Sequence, residues 1–285
     1  MLDRFLWKKE ADGITLLSEK ALKARRAYRL ALSDCSGTSL YFAKQMALVS
    51  RKRLGGLLGG SNLLVGFNHG TAELAHNLAL HERTIHGVQT FAFGEYFRYG
   101  LPVQQILLQE YLTDWQPFDA VWRESGDAAS REVLLRKLAD MLEAFRDARI
   151  QHLDLHPCNV LVSPVPEAPL RAIDCGKMSA QADPAISAAL HLGVFLYELN
   201  GKCIEPQFEV STQNAQRLFR DLVGNEPGFA TAEGLLLLLL RYSTKRPFSR
   251  RQLVRHRHDA LNLVALEKRL CKLTKGRYGV ASIDP

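Results

Sequence analysis

The chain has 285 residues, 47% hydrophobic and 24% charged, the balance of an ordinary folded protein long enough for one large domain or two joined lobes. That composition excludes a disordered, collagen-like or disulfide-scaffold chain. Thirty-seven basic against thirty acidic residues leave a net charge of +7, which favours an anionic partner, whether phosphate, lipid headgroup or nucleic acid.

Residues 1–10 lack the apolar core of a signal peptide, and the longest apolar run, 235–240, is too short to cross a bilayer. Cys35, Cys158, Cys175, Cys203 and Cys271 are scattered, with no C-x-x-C spacing. They read as reduced thiols, with neither a zinc site nor a disulfide frame, so the expectation is a soluble protein of the cytoplasm.

Residues 28–32 (YRLAL) and 40–44 (LYFAK) flank the turn-rich SDCSGTS, the pattern of an antiparallel hairpin. The basic, glycine-rich RKRLGGLLGG of residues 51–60 reads as a loop or linker. Leu74, Leu78 and Ile85 lie at helical spacing within 71–85, with Gly87 as the expected stop. Residues 90–94 and 103–111 return to strand-like composition. Beyond Asp114 the character is helical. Residues 131–149 place Leu134, Leu135, Leu138, Met141, Leu142 and Phe145 on one face. Further helices are expected over 184–199, 213–223, 232–242 and 260–273, and residues 151–178 between them are loop-rich. The whole is an α+β layout, with a β-rich N-terminal lobe (1–112) and a mainly helical C-terminal lobe (113–285).

The chemistry concentrates in the loop-rich stretch. Residues 152–161 read HLDLHPCNVL, and 172–176 read AIDCG. Phosphoryl transfer from ATP needs a carboxylate to orient and deprotonate the attacking hydroxyl, and oxygen ligands to hold Mg²⁺ against the phosphates. Asp154 suits the first role; Asn159, five residues on, and Asp174 suit the second. H-x-D-x-x-x-x-N followed by D-x-G is the kinase signature set. His152 and His156 flank a carboxylate, but zinc would need a further ligand at suitable spacing.

The 152–161 segment resembles the catalytic loop of the protein-kinase-like superfamily, in its small-molecule branch, where H-G-D-L-H-P-x-N is frequent. Leu153 stands where many protein kinases carry Arg, and no A-P-E follows, so the resemblance implies no activation-loop phosphorylation control. It implies a two-lobed kinase-like fold whose N-terminal lobe binds nucleotide and whose C-terminal lobe carries catalysis and the acceptor. The N-terminal lobe should supply a strand lysine, Lys44, to grip the α- and β-phosphates, and a helix glutamate, Glu73, to hold it, with Glu82 the second choice.

The stretch through Glu73, the GVQT of 87–90 and the AFGE of 92–95 resembles the bacterial lipopolysaccharide core kinases. These phosphorylate heptose or 3-deoxy-manno-octulosonic acid (Kdo) of the inner core. In that resemblance, QEYL of 109–112 is the hinge whose backbone meets adenine, with Glu110 and Leu112 as its contacts. It also implies ATP and Mg²⁺ as cofactors and lipopolysaccharide core, or its lipid A–core precursor, as acceptor. No G-x-G-x-x-G precedes Lys44, and Cys175 replaces the usual aromatic after the metal-binding aspartate.

Basic residues cluster at 51–53, at 245–257 and at 268–277. On a lipopolysaccharide kinase they would draw the protein to the anionic cytoplasmic face of the inner membrane. Aromatic interleaving is poor and no nucleic-acid motif appears, so nucleic acid is not an expected partner. Two other readings stand beside the first: a kinase for a soluble acceptor such as an aminoglycoside or choline, and a nucleotide-binding pseudokinase scaffold.

Overall fold

The computed structural model describes residues 13–20, 25–35, 37–48, 61–62, 66–67, 69–180, 183–201, 209–241, 262 and 264–268. The chain divides into two compact units, residues 1–114 and 115–285.

Unit 1 is built on a five-stranded antiparallel sheet of order β1-β2-β3-β7-β6: β1 Ile14–Lys20, β2 Arg25–Asp34, β3 Gly37–Ala47, β6 Thr90–Arg98 and β7 Leu101–Glu110. The short pair β4 Ser61–Asn62 and β5 Gly66–Phe67 lies between β3 and the helix α1, His69–Arg83. The expected hairpin is β2–β3, in unbroken register from Arg25↔Met46 to Asp34↔Gly37. Side chains alternate across such a sheet. Tyr28, Leu30, Ala43, Ile106 and Leu108 form one apolar cluster, backed by Ile14 and Tyr41. Lys44 pairs across the strands with the fully buried Leu107. The period of two therefore puts both on the other face.

Helix α1 packs against β6 and β7. It ends at Arg83, four residues before the glycine expected to stop it. Thr84 closes the last turn, its N–H donating to the Leu80 carbonyl at 3.0 Å and its hydroxyl to the same oxygen at 2.8 Å. Gly87 has a different task. A Cβ there would lie 2.5 Å from the His81 amide nitrogen, so the returning chain crosses the helix end where no side chain fits.

Unit 2 begins with the short strand β8, Gln116–Pro117, and a helix that sequence periodicity did not pick out, α2 Phe118–Glu124. Seven residues are too few for a clear stripe, yet Phe118 and Trp122, one turn apart, are both buried. Helix α3, Ala128–Asp147, buries the six residues predicted as its apolar face. It starts three residues before the expected range of 131–149 because Asp127 caps it, accepting the Ser130 N–H at 2.7 Å. Helix α4, Pro184–Asn200, is buried almost all round, as the central helix of a bundle must be. Helix α5 is Thr212–Val223 and α6 is Phe229–Arg241. At Gly193 a Cβ would stand 3.0 Å from Leu239 Cδ1, so the glycine lets α6 lie close on α4. Arg146 of α3 donates to the Leu222 carbonyl, capping the negative end of α5.

Four short strands, β9 Ile150–His152, β10 Val160–Val162, β11 Arg171–Ala172 and β12 Met178–Ala180, occupy the stretch read as loop-rich. Strand β9 pairs with β12, and β10 pairs with both β8 and β11. Of the closing helix expected over 260–273, residues 264–268 are helical. Apart from residue 262, the rest of it, the basic residues 51–53 and 245–257, and most of the 268–277 cluster lie outside the described residues. Among the described residues no helix is long and apolar enough to cross a membrane.

Candidate active site

In unit 2 the HLDLHPCN segment is pinned from three directions. The His152 N–H donates to His191 Nε2 of α4 at 3.0 Å, and the His191 ring makes a T-shaped contact with Phe145 of α3. The His152 ring accepts the Asp154 N–H on Nδ1, which leaves the proton on Nε2. That Nε2 lies 3.2 Å from the Ile173 carbonyl, one residue before Asp174. His152 is thus a neutral staple between the two motifs, fully buried.

Asp154 is half-buried, as are His156 and Cys158, in a loop whose other residues are buried. Residues Pro157–Asn159 form a 3₁₀ turn, in which the Asn159 N–H donates to the His156 carbonyl at 2.7 Å. Asn159 Nδ2 donates to the Asp154 carbonyl at 3.0 Å, and the Asn159 carbonyl accepts the Ile173 N–H at 2.9 Å. The amide nitrogen is committed to the loop, so Asn159 Oδ1 is the atom left to face a ligand.

Asp174 follows β11 with φ 57°, in the left-handed region. Such a backbone costs a non-glycine residue on the order of 1 kcal/mol and persists where its surroundings enforce it. Here the enforcing elements are the β10–β11 hairpin before it and the 3₁₀ turn Cys175–Lys177 after it. Cys175 is fully buried, so the thiol fills the packing position of the expected aromatic. The loop joining β10 to β11 is tied down by Lys137 of α3, whose ammonium donates to the carbonyls of Pro166 and Ala168.

In unit 1 the structure brings Lys44 and Glu73 together, Nζ to Oε1 at 2.6 Å. Their side chains are 15% and 3% exposed, so this is a buried ion pair between β3 and α1. Asn77, one turn after Glu73, donates to the Glu73 carbonyl at 2.8 Å. Glu82 is exposed at the end of the helix. Glu110 ends β7, its N–H donating to the Gln89 carbonyl at 2.9 Å. Leu112 is half-buried in the segment that follows.

Two residues at this site escaped sequence reasoning. His191 lies on an apolar helix with no motif around it. Lys177 donates to Asp154 Oδ2 at 3.0 Å, though 23 residues separate the pair and no spacing rule links them.

Among the described residues no group of three or more His, Cys, Asp and Glu is placed to hold a metal ion. The donors that remain, a carboxylate and an amide oxygen, are hard oxygens. They fit Mg²⁺, which binds through one or two protein ligands and takes phosphates and waters for the rest. A separate cleft of ≈ 360 Å³ between α3 and α5 is lined by Glu132, Arg136, Asp140, Glu143, Arg217 and Asp221. None of the candidate site residues borders it.

An ordered H-x-D-x-x-x-x-N loop beside a D-x-G turn, in a chain whose β-rich unit carries a lysine–glutamate pair, defines a kinase-like phosphotransferase. A family model described as lipopolysaccharide kinase (Kdo/WaaP) matches residues 23–186, more than half of the chain. The chain belongs to that family and is a phosphotransferase, a lipopolysaccharide kinase. The match includes Lys44, Glu73, Glu110, Leu112, Asp154, Asn159 and Asp174, while His191 lies beyond it. Among solved structures, a chain described as "WaaP in complex with acyl carrier protein" is similar at 17% identity. That similarity covers 95% of this chain and 96% of that one, with a TM-score of 0.45. No curated protein matches at a significant level.

Proposed function

We propose that this kinase transfers the γ-phosphoryl group of ATP, with Mg²⁺, to a sugar hydroxyl of the lipopolysaccharide inner core, on heptose or Kdo. The observation that carries the proposal is the arrangement of Asp154, Asn159 and Asp174 within a chain of the lipopolysaccharide kinase family. Asp154 orients the acceptor hydroxyl and receives its proton as the oxygen attacks. Asn159 Oδ1 and the Asp174 carboxylate hold the metal, which when bound neutralises charge on the phosphates. Lys44, fixed by Glu73, supplies a cation to the nucleotide phosphates, and the 109–112 segment offers backbone groups to adenine through Glu110 and Leu112.

Transfer forms one bond, from acceptor oxygen to phosphorus, and breaks one, from phosphorus to the bridging oxygen of ADP. The proton leaves through Asp154. The acceptor is anionic and lipid-anchored, which suits a chain of net charge +7 working at the cytoplasmic face of the inner membrane.

The test is phosphate incorporation from ATP into dephosphorylated core lipopolysaccharide by the purified chain, with Mg²⁺ and with a chelator. Incorporation into a heptose or Kdo residue that the chelator abolishes is the expected result. Turnover with aminoglycoside or choline and none with core lipopolysaccharide would overturn the assignment.

A further inference from the structure

The Lys177–Asp154 pair has a geometry that a chance surface contact lacks. The Lys177 carbonyl accepts the Leu153 N–H at 2.8 Å, and the next residue along, Met178, pairs with His152 in the β9–β12 ladder. Backbone bonds therefore fix the root of the Lys177 side chain beside the catalytic loop. From there its ammonium reaches Asp154 Oδ2 at 3.0 Å, its one side-chain partner among the described residues. Lys177 is 50% exposed and Asp154 24%, a setting in which an ion pair contributes little to stability.

Lys177 also closes the 3₁₀ turn that Asp174 opens. Asp174 leads into that turn, three positions before Lys177. One short turn then carries both a proposed metal ligand and the cation that grips the proposed base.

We infer that Lys177 is a positioning residue for Asp154. By holding Oδ2 it fixes the direction in which the carboxylate faces the acceptor hydroxyl, and it ties that orientation to the turn that sets Asp174. The inference rests on the reading of Asp154 as the base. The role is electrostatic and directional, so it needs a cation of suitable reach and not merely an aliphatic stem.

The experiment compares Lys177→Met, Lys177→Arg, Asp154→Ala and the double variant Asp154→Ala/Lys177→Met in steady-state turnover of ATP with core lipopolysaccharide. Lys177→Met should lower kcat by about 10- to 100-fold, the cost of a misplaced catalytic group, and leave the KM for ATP within about twofold. Lys177→Arg should recover a large part of that loss. The melting temperature of both variants should stay near that of the parent. On the Asp154→Ala background, Lys177→Met should cost nothing further, because its effect passes through the carboxylate.

An unchanged kcat in Lys177→Met overturns the inference, as does an Arg variant no better than Met. A raised KM for ATP at constant kcat would also overturn it, since Lys177 would then bind nucleotide directly. Retained turnover in Asp154→Ala alone is a different failure: it removes the base itself, whatever Lys177 does.

Discussion

Glu73→Leu gives the sharpest energetic test of unit 1. Glu73 and Lys44 lie 2.6 Å apart with side chains 3% and 15% exposed, so solvent screens the pair weakly. Removing one partner of a buried ion pair costs about 3–5 kcal/mol, because the other charge stays desolvated without its counter-ion. Replacing both partners by apolar groups of similar volume is far cheaper. Lys44→Met/Glu73→Leu should therefore recover more than half of the loss seen in Glu73→Leu.

The suitable assay is native-state hydrogen exchange read by mass spectrometry on β3, α1 and β7 peptides, which reports on unit 1 alone. A loss of 3–5 kcal/mol corresponds to protection falling by about 10²- to 10⁴-fold in those peptides. Protection within threefold of the parent in Glu73→Leu, or a double variant no better protected than the single, would refute the reasoning.

Gly87→Ala should destabilise unit 1 by about 1–3 kcal/mol, since the new Cβ meets His81 backbone atoms at 2.5 and 2.6 Å and neither can yield cheaply; thermal unfolding measures it. The backbone N–H of Ser130, together with its hydroxyl, holds the Asp127 carboxyl below its ordinary value of 3.8. A carboxyl depressed on folding contributes stability that is fully present above that ordinary value and is lost as pH falls through the lower folded one. Asp127→Asn keeps an N-cap oxygen but should flatten this part of the acid melting profile below about pH 4; an unchanged slope would contradict it.

Elements whose signal is local were readable before any coordinates. The stripe Leu134 to Phe145 predicts α3 because six apolar residues repeat at helical spacing, and the same six are buried. The β2–β3 hairpin follows from two runs of aromatic and aliphatic residues around a polar turn, and the register is regular as a tight turn requires. The order of β-rich then helical segments sets the fold class. Helix α2 was missed because two core residues do not make a period. The Gly87 assignment placed the helix end late, since a glycine needed for close approach and one needed to stop a helix look alike in sequence.

At the site, Asp154, Asn159 and Asp174 stood out because kinase chemistry ties residue type to fixed short spacing. Lys44 and Glu73 could be paired only through the family resemblance, as 29 residues separate them. The Lys177 contact and the His191 support depend on β9–β12 pairing and on where α4 packs. Both are long-range facts that no local pattern encodes.

The most direct test of the central claim is phosphate transfer to core lipopolysaccharide by Asp154→Ala beside the parent chain, with nucleotide binding measured on both. Loss of the general base should cut turnover by about 10²- to 10⁴-fold while nucleotide affinity stays within about twofold. Turnover within threefold of the parent would show that Asp154 does not activate the acceptor and would contradict the account.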